Sequence, residues 1–194
     1  MQKRNEITLN RILDSAEILF SSKDFYEVKI EDIAKQANIG KGTVYTYFKS
    51  KEELMFKCLV NNIDSNHRVL ENLLAEGNDF KVTLYNIFKK MYEFFQKKGP
   101  LIQQFMSMGP RLKLSEADFK YLRARFVASL NMMTSFFQKG IDEGVIVNSM
   151  TPRQIAIIFQ KMFDFNVIFT FYGEPELSVE ECYNFFTKTF FRQE

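Results

Sequence analysis

Lys41, Thr43, Tyr45, Thr46, Tyr47 and Lys51 fall within eleven consecutive residues and set ammonium groups among hydroxyls and aromatic rings. The chemistry open to such a set is binding rather than bond-making: ammonium groups neutralise phosphates, while hydroxyls and rings reach the edges and methyl groups of bases. Lys29, Lys35 and Lys49 add to the local positive charge, and together these lysines outnumber Glu31 and Asp32. The whole-chain formal charge of +2 is too small to argue for a polyanionic partner by itself, so the local concentration of lysine carries the inference.

Those residues need a scaffold, and the run IEDIAKQANIGKGTVYTYFKSKEEL at 30–54 supplies one. Ile33, Ala34 and Ala37 repeat at the spacing of one helical face, so a short first helix can bury that stripe. Asn38 tolerates the left-handed backbone that ends a helix, and Gly40 can take almost any conformation at the start of the next one. In the helix that begins near Lys41, Val44 and Phe48 share the buried side, which leaves Lys41, Thr43, Tyr45, Thr46 and Tyr47 to face a groove. Gly42 lets the backbone approach a phosphate or sugar closely, and the helix start attracts anions through its unpaired amides. Ser50, Lys51, Glu52 and Glu53 read as a capping box that starts a long fourth helix. Lys51 is electrostatically out of place in that first turn; a nearby phosphate would resolve this, and a solvated surface lysine is the competing reading.

The segment 8–54, most strongly in KGTVYTYFKSKEEL, resembles the N-terminal DNA-binding domain of the tetracycline-repressor (TetR) family of bacterial transcriptional regulators. The resemblance implies that Lys41, Gly42, Thr43, Tyr45 and Tyr47 lie on the recognition helix and that Lys51 contacts phosphate from the fourth helix. With Thr46 on the same helix and Lys29 just ahead of the motif, the DNA-binding set is Lys29, Lys41, Gly42, Thr43, Tyr45, Thr46, Tyr47 and Lys51. Three positions depart from the family pattern: Lys29 replaces the usual threonine cap, Asp24 a common glycine, and Gly40 the usual serine. Losing the threonine hydroxyl at position 29 forfeits a cap worth about 1 kcal/mol, while the Lys29 ammonium can take over its phosphate contact.

The 194 residues, 46% of them apolar, suffice for one compact DNA-binding domain and a larger buried core. The expected fold is all-α, with an N-terminal three-helix helix-turn-helix DNA-binding domain at 1–50 and a larger C-terminal helical ligand-binding and dimerisation domain at 51–194. The start MQKRNEITLNR lacks the apolar core of a signal peptide, and the apolar stretch 155–172 is broken by Lys161 and Asp164. No membrane partner and a cytoplasmic location are therefore expected. Cys58 and Cys182 form no closely spaced pair and read as reduced, buried thiols, and no metal or cofactor is expected.

Beyond the fourth helix, helical segments are predicted at 80–97, 101–112, 116–143, 152–172 and 179–192. Thr151, Pro152 and Gln154 form a capping box with proline at the first helical position, and Ser178 with Glu181 forms another. The helix from Pro152 is apolar nearly all round, so it needs two apolar neighbours: its own core and the same helix of a second copy. Phe165, Ile168 and Phe169, extended by Phe185 and Phe186, are assigned to that homodimer interface. In the family resembled here the last two long helices build a four-helix dimer interface. Two-fold symmetry then predicts a double-stranded DNA operator with inverted half-sites about 34 Å apart.

Twenty-two phenylalanines, nine methionines and no tryptophan give the interior unusual plasticity. Phe95, Phe105, Met106, Phe126, Met133, Phe159, Met162 and Phe163 are candidate walls of a pocket for a small, flexible, apolar effector, with plain hydrophobic packing as the competing account. His67 and Asn166, polar residues on apolar faces, are candidates for the effector's polar end, or are satisfied by their neighbours. His67 lies sixteen residues after Lys51 on what reads as one helix, a rise of about 24 Å. Effector binding that shifts this helix would change the separation of two recognition helices and release DNA.

The sequence thus reads as a ligand-responsive DNA-binding transcriptional regulator, expected to be a repressor released from an inverted-repeat operator by a small apolar or amphipathic effector. One histidine, no nucleophile elbow, no metal-ligand cluster and no phosphate loop argue against an enzyme. The alternative is a helical small-molecule or lipid carrier without specific DNA binding.

Overall fold

A computed structural model describes residues 2–108, 112, 114–147 and 149–192, and the side chains of all of these except 2–4 and 164–171. Among the described residues the chain forms α1 (Gln2–Ser22), α2 (Ile30–Gln36), α3 (Lys41–Tyr47), α4 (Lys51–Ala75), α5 (Phe80–Met108), α6 (Glu116–Asp142), α7 (Pro152–Phe171) and α8 (Val179–Phe190). The all-α class is as expected. One isolated antiparallel bridge, Ile146 to Phe191, joins the turn after α6 to the residue after α8.

Side-chain caps set several starts. Ser178 accepts from the Glu181 amide at 3.2 Å while its own amide donates to the Glu181 carboxylate at 2.8 Å. Thr151 and Gln154 make the equivalent exchange at the head of α7, at 2.8 and 3.3 Å. The box before α4 is displaced: Ser50 Oγ accepts from the Glu53 amide at 3.1 Å, but the Glu53 carboxylate takes the Lys49 amide at 2.7 Å.

The expected break between 97 and 101 does not occur, because α5 runs continuously through Pro100. Proline removes one backbone hydrogen bond there, and the burial of Leu101, Phe105 and Met108 along one face outweighs that loss.

By packing, the chain divides into two compact units, one made of 1–64 with 97–120 and the other of 65–96 with 121–194. The first buries Ile12, Ala16, Phe20, Phe25, Ile33, Val44, Phe48 and Leu54. It also contains a polar knot, in which the Glu17 carboxylate accepts from Asn62 Nδ2 at 2.7 Å and from Lys98 Nζ, tying α1, α4 and α5 together.

The second unit is built on phenylalanine. Phe88 meets Phe159 at 4.9 Å and Phe186 at 5.5 Å between ring centroids, and Phe186 meets Phe190 at 4.6 Å. Edge-on and tilted pairs of this kind add to the area they bury. Phe80 stacks on Phe136 at 4.4 Å and lies over Gly140, where a Cβ would come within 2.5 Å of the Phe80 ring.

Gly140→Ala should therefore destabilise the protein although alanine is the better helix former. Overpacking of about 1–3 kcal/mol opposes a propensity gain of about 1 kcal/mol. Denaturant midpoints of the two proteins check this; an unchanged or raised midpoint would mean that Phe80 moves aside at no cost.

Candidate nucleic-acid interface

The first motif helix, α2, buries Ile30, Ile33 and Ala34, with Ala37 just beyond its end. It stops in a paired hydrogen-bond turn: the Asn38 amide donates to the Lys35 carbonyl and the Ile39 amide to the Ala34 carbonyl, both at 3.0 Å. Asn38 takes the left-handed conformation, at φ 51°. Gly40 sits at φ −73° and ψ 145°, an ordinary extended conformation, so the freedom expected of it is not used. The Arg11 guanidinium of α1 donates to the Ala37 carbonyl and, at 3.2 Å, to the Asn38 carbonyl, which fixes the turn from behind.

Helix α3 buries Val44 and Phe48 and turns the other side outward. Tyr45 is 49% exposed. Lys41, Gly42 and Thr46 are exposed, and Thr43 and Tyr47 half-buried. A Cβ at Gly42 would meet nothing within 4 Å, so the space over this backbone is open to an approaching molecule. Thr46 Oγ1 donates to the Gly42 carbonyl at 3.0 Å, and the Tyr47 hydroxyl donates to the Asn5 carbonyl at 3.2 Å. Tyr47 is thereby steadied by α1.

Lys51 is not the solvated surface lysine of the simplest reading. Its ammonium donates to the Phe25 carbonyl at 2.6 Å and the Val28 carbonyl at 2.8 Å, and lies 4.3 Å from the centre of the Phe25 ring. Burial holds its pKa below the usual lysine value, against the opposing pull of Glu52 and Asp24. Two carbonyls, rather than a phosphate, answer the positive charge at the head of α4.

Lys29, exposed, makes no side-chain cap; its amide donates to the Asp32 carboxylate at 3.4 Å. Lys41 pairs with Glu31 of α2 and lies 5.8 Å from the Tyr45 ring centre. Lys29, Lys41, Lys49, Lys51 and Tyr45 line one cleft of about 440 Å³, together with Tyr26 and Glu31. The sequence-derived set is thus brought together for Lys29, Lys41, Tyr45 and Lys51, while Gly42, Thr43, Thr46 and Tyr47 occupy other positions of α3. In the sequence Glu31 counts only as an acid outnumbered by lysines and Tyr26 has no marked role, because nothing in their spacing makes them neighbours of Lys41 and Tyr45.

The candidate effector residues divide. His67, Met133, Phe159, Met162 and Phe163 are buried in the second unit, with Phe95 half-buried and stacked on Phe163 at 5.6 Å. Ser129 Oγ, 3.1 Å from His67 Nδ1, satisfies one ring nitrogen, and Nε2 lies 3.5 Å from a Glu71 carboxylate oxygen. Three expectations are corrected. Phe105 belongs to the first unit, where it packs on Phe56 at 6.5 Å. Met106 and Phe126 are 71% and 60% exposed: Met106 falls on the face of α5 away from Leu101, Phe105 and Met108, whereas Phe126 is exposed although its spacing from Leu122 and Met133 puts it on the buried side of α6. The Asn166 side chain lies outside the described residues.

Among the expected interface residues, Phe185 is 57% exposed on α8. Phe186, one residue on, faces the other way and is fully buried among Phe88, Phe137, Phe159 and Phe190, so it is a core residue and not an interface one. The side chains of Phe165, Ile168 and Phe169 lie outside the described residues. Cys58 and Cys182 are buried free thiols, and burial raises the pKa of each. Among the described residues no helix is long and apolar enough to cross a membrane.

Residues 12–58 match the family described as bacterial regulatory proteins, tetR family. The chain is 26% identical to IcaR of Staphylococcus aureus, the HTH-type negative transcriptional regulator of the biofilm operon icaADBC, with 67% of this chain and 86% of that protein covered. It is 24% identical to the uncharacterized HTH-type transcriptional regulator YfiR of Bacillus subtilis, over 79% of this chain and 75% of that one. Its fold is similar to that of a TetR-family transcriptional regulator from Agrobacterium tumefaciens, with a TM-score of 0.78, 17% identity and coverage of 97% of this chain and 100% of that one.

The two hydrogen bonds from Lys51 to the 25–28 segment should contribute to stability. Lys51→Met leaves two carbonyls without their donor and is expected to cost about 1–3 kcal/mol in a denaturation experiment on the whole chain. No measurable loss would show that water replaces the ammonium there.

Proposed function

We propose that this chain, whose residues 12–58 match the family described as bacterial regulatory proteins, tetR family, is a homodimeric, ligand-responsive repressor that reads an inverted-repeat operator with α3. The observation that carries the reading is the pairing of opposite faces on that helix: Val44 and Phe48 are locked in the core, while Tyr45 and Thr46 stand outward beside a cleft walled by four lysines. Lysines supply the sequence-independent grip on phosphates, and the outward side chains of α3 meet base edges. In this reading Lys29 and Lys49 hold phosphate, Lys41, Thr43, Tyr45, Thr46 and Tyr47 face the major groove, and Gly42 admits a close backbone approach. Lys51 supports phosphate binding from the head of α4 with whatever donor capacity its two carbonyl bonds leave.

Function divides the chain at 50/51, with DNA contact assigned to 1–50 and effector binding and dimerisation to 51–194. Repression is favoured by the likeness to IcaR, itself a negative regulator. The dimer is assigned to α7 and α8, where Ile157, Phe185 and, just past the end of α7, Tyr172 are exposed. The effector class, small and apolar, follows from the phenylalanine and methionine interior around Phe159, Met162 and Phe163. Because α4 carries both Lys51 and His67, an effector held near His67 can bias the DNA-binding end by a coupling of about 1–3 kcal/mol. In this reading the protein acts in the cytoplasm by binding alone and is not an enzyme.

Selection of random duplexes by the purified protein, followed by a salt series on the enriched sequence, tests the reading. An inverted repeat should be enriched, with affinity falling steeply as salt rises. Tyr45→Ala should cost about 1–3 kcal/mol on that sequence with little change of salt slope, and Lys29→Ala should reduce the slope by about 1 on every duplex. Failure to enrich any sequence, with unchanged binding in both variants, would favour a helical carrier of small apolar molecules.

A further inference from the structure

Glu31 stands out on the DNA-binding face. Among the described residues that line the lysine cleft it is the one carboxylate, set among Lys29, Lys41, Lys49 and Lys51. It projects from the start of α2 and pairs with Lys41, the first residue of α3, so the pair spans the turn between the two motif helices. The two side chains are 56% and 50% exposed, and an ion pair so open to solvent contributes little to stability. An acid in the first turn of α2 also suits the positive end of that helix, but the turn itself does not need the pair, being already fixed by Asn38 and Arg11.

The pair is electrically neutral under ordinary conditions. The bond from Lys41 holds the Glu31 carboxyl below its usual pKa, and the same bond raises that of Lys41. Lys51 is committed to the Phe25 and Val28 carbonyls, so two of the four lysines in the cleft already serve groups of the protein itself. Lys29 and Lys49 are exposed. A duplex laid on this face meets fewer available ammonium groups than the sequence advertises.

We infer that Glu31 is a specificity-determining residue of the DNA-binding face: by holding the Lys41 ammonium beside Tyr45 it withholds one lysine from backbone phosphates and so limits sequence-independent binding. The inference rests on the proposed DNA-binding role. Phosphate contacts strengthen binding to every sequence alike, and a regulator must find its site against a large excess of other DNA. Removing the carboxylate frees Lys41 for a phosphate, which tightens binding to any duplex. On the operator the same gain is offset by the loss of the fixed position of Lys41 next to Tyr45, so the ratio of specific to non-specific affinity falls.

The experiment compares the full chain with its Glu31→Gln, Lys41→Met and double variants on the selected operator and on a random duplex of equal length, across a salt series. For Glu31→Gln the expected result on random duplex is a salt slope steeper by about 0.9 and, near roughly 0.15 M salt, affinity about fivefold tighter, as one added phosphate contact requires. The operator-to-random ratio should fall, and Glu31→Gln should add nothing in the Lys41→Met background. Unchanged or weaker random-duplex binding by Glu31→Gln, with operator binding by the wild-type chain intact, would overturn the inference alone. A gain that persists without Lys41 would overturn it as well. Absence of duplex binding by the wild-type chain at every salt concentration would overturn the regulator reading and this inference with it.

Discussion

A helix of seven residues cannot hold itself in water, where isolated helices below about 12–15 residues are marginal. Both α2 and α3 have this length, and everything around them is arranged to supply what their own hydrogen bonds cannot. Ile33, Ala34, Val44 and Phe48 take the buried side of each helix into the core. Arg11 ties the turn to α1, Tyr47 reaches the Asn5 carbonyl, and Lys51 binds the 25–28 segment to α4. The outward face of α3 is rigid because its inward face has nowhere else to go.

Electrostatics on that face is less simple than a count of lysines. Charge that reaches solvent at Lys29 and Lys49 is available to a polyanion, whereas the charge of Lys41 is met by Glu31 and that of Lys51 by two carbonyls and an aromatic ring. A lysine that satisfies carbonyls at the head of a helix acts as a strut. The same residue type in the same cleft therefore serves structure in one place and solvent-facing charge in another.

The second unit solves a different problem. Phenylalanine is stiff and large, so a core built from it fills by ring geometry, with neighbouring centroids such as Phe186 and Phe190 at 4.6 Å and Phe88 and Phe159 at 4.9 Å. Gly140 exists where it does because the Phe80 ring leaves no room for a Cβ. Methionines such as Met133 and Met162 sit among these rings, and their flexible side chains are the parts of such a core best able to yield to a small apolar molecule.

The all-helical class, the caps at Ser178 and Thr151, the left-handed Asn38 and the exposure of Lys41, Tyr45 and Thr46 on α3 were legible in the sequence, because each depends on residues within a few positions of one another. Helix periodicity and capping are local physics. What sequence could not supply was partnership at a distance. That Pro100 sits inside a continuous helix, that Phe186 turns inward while Phe185 turns outward, that Met106 and Phe126 are left exposed, and that Lys41 meets Glu31 and Lys51 meets Phe25 and Val28 were decided by tertiary packing. The physical reason is common to all of them: a hydrogen bond or a buried face is settled by whichever group the fold brings near, and composition names the candidates without placing them.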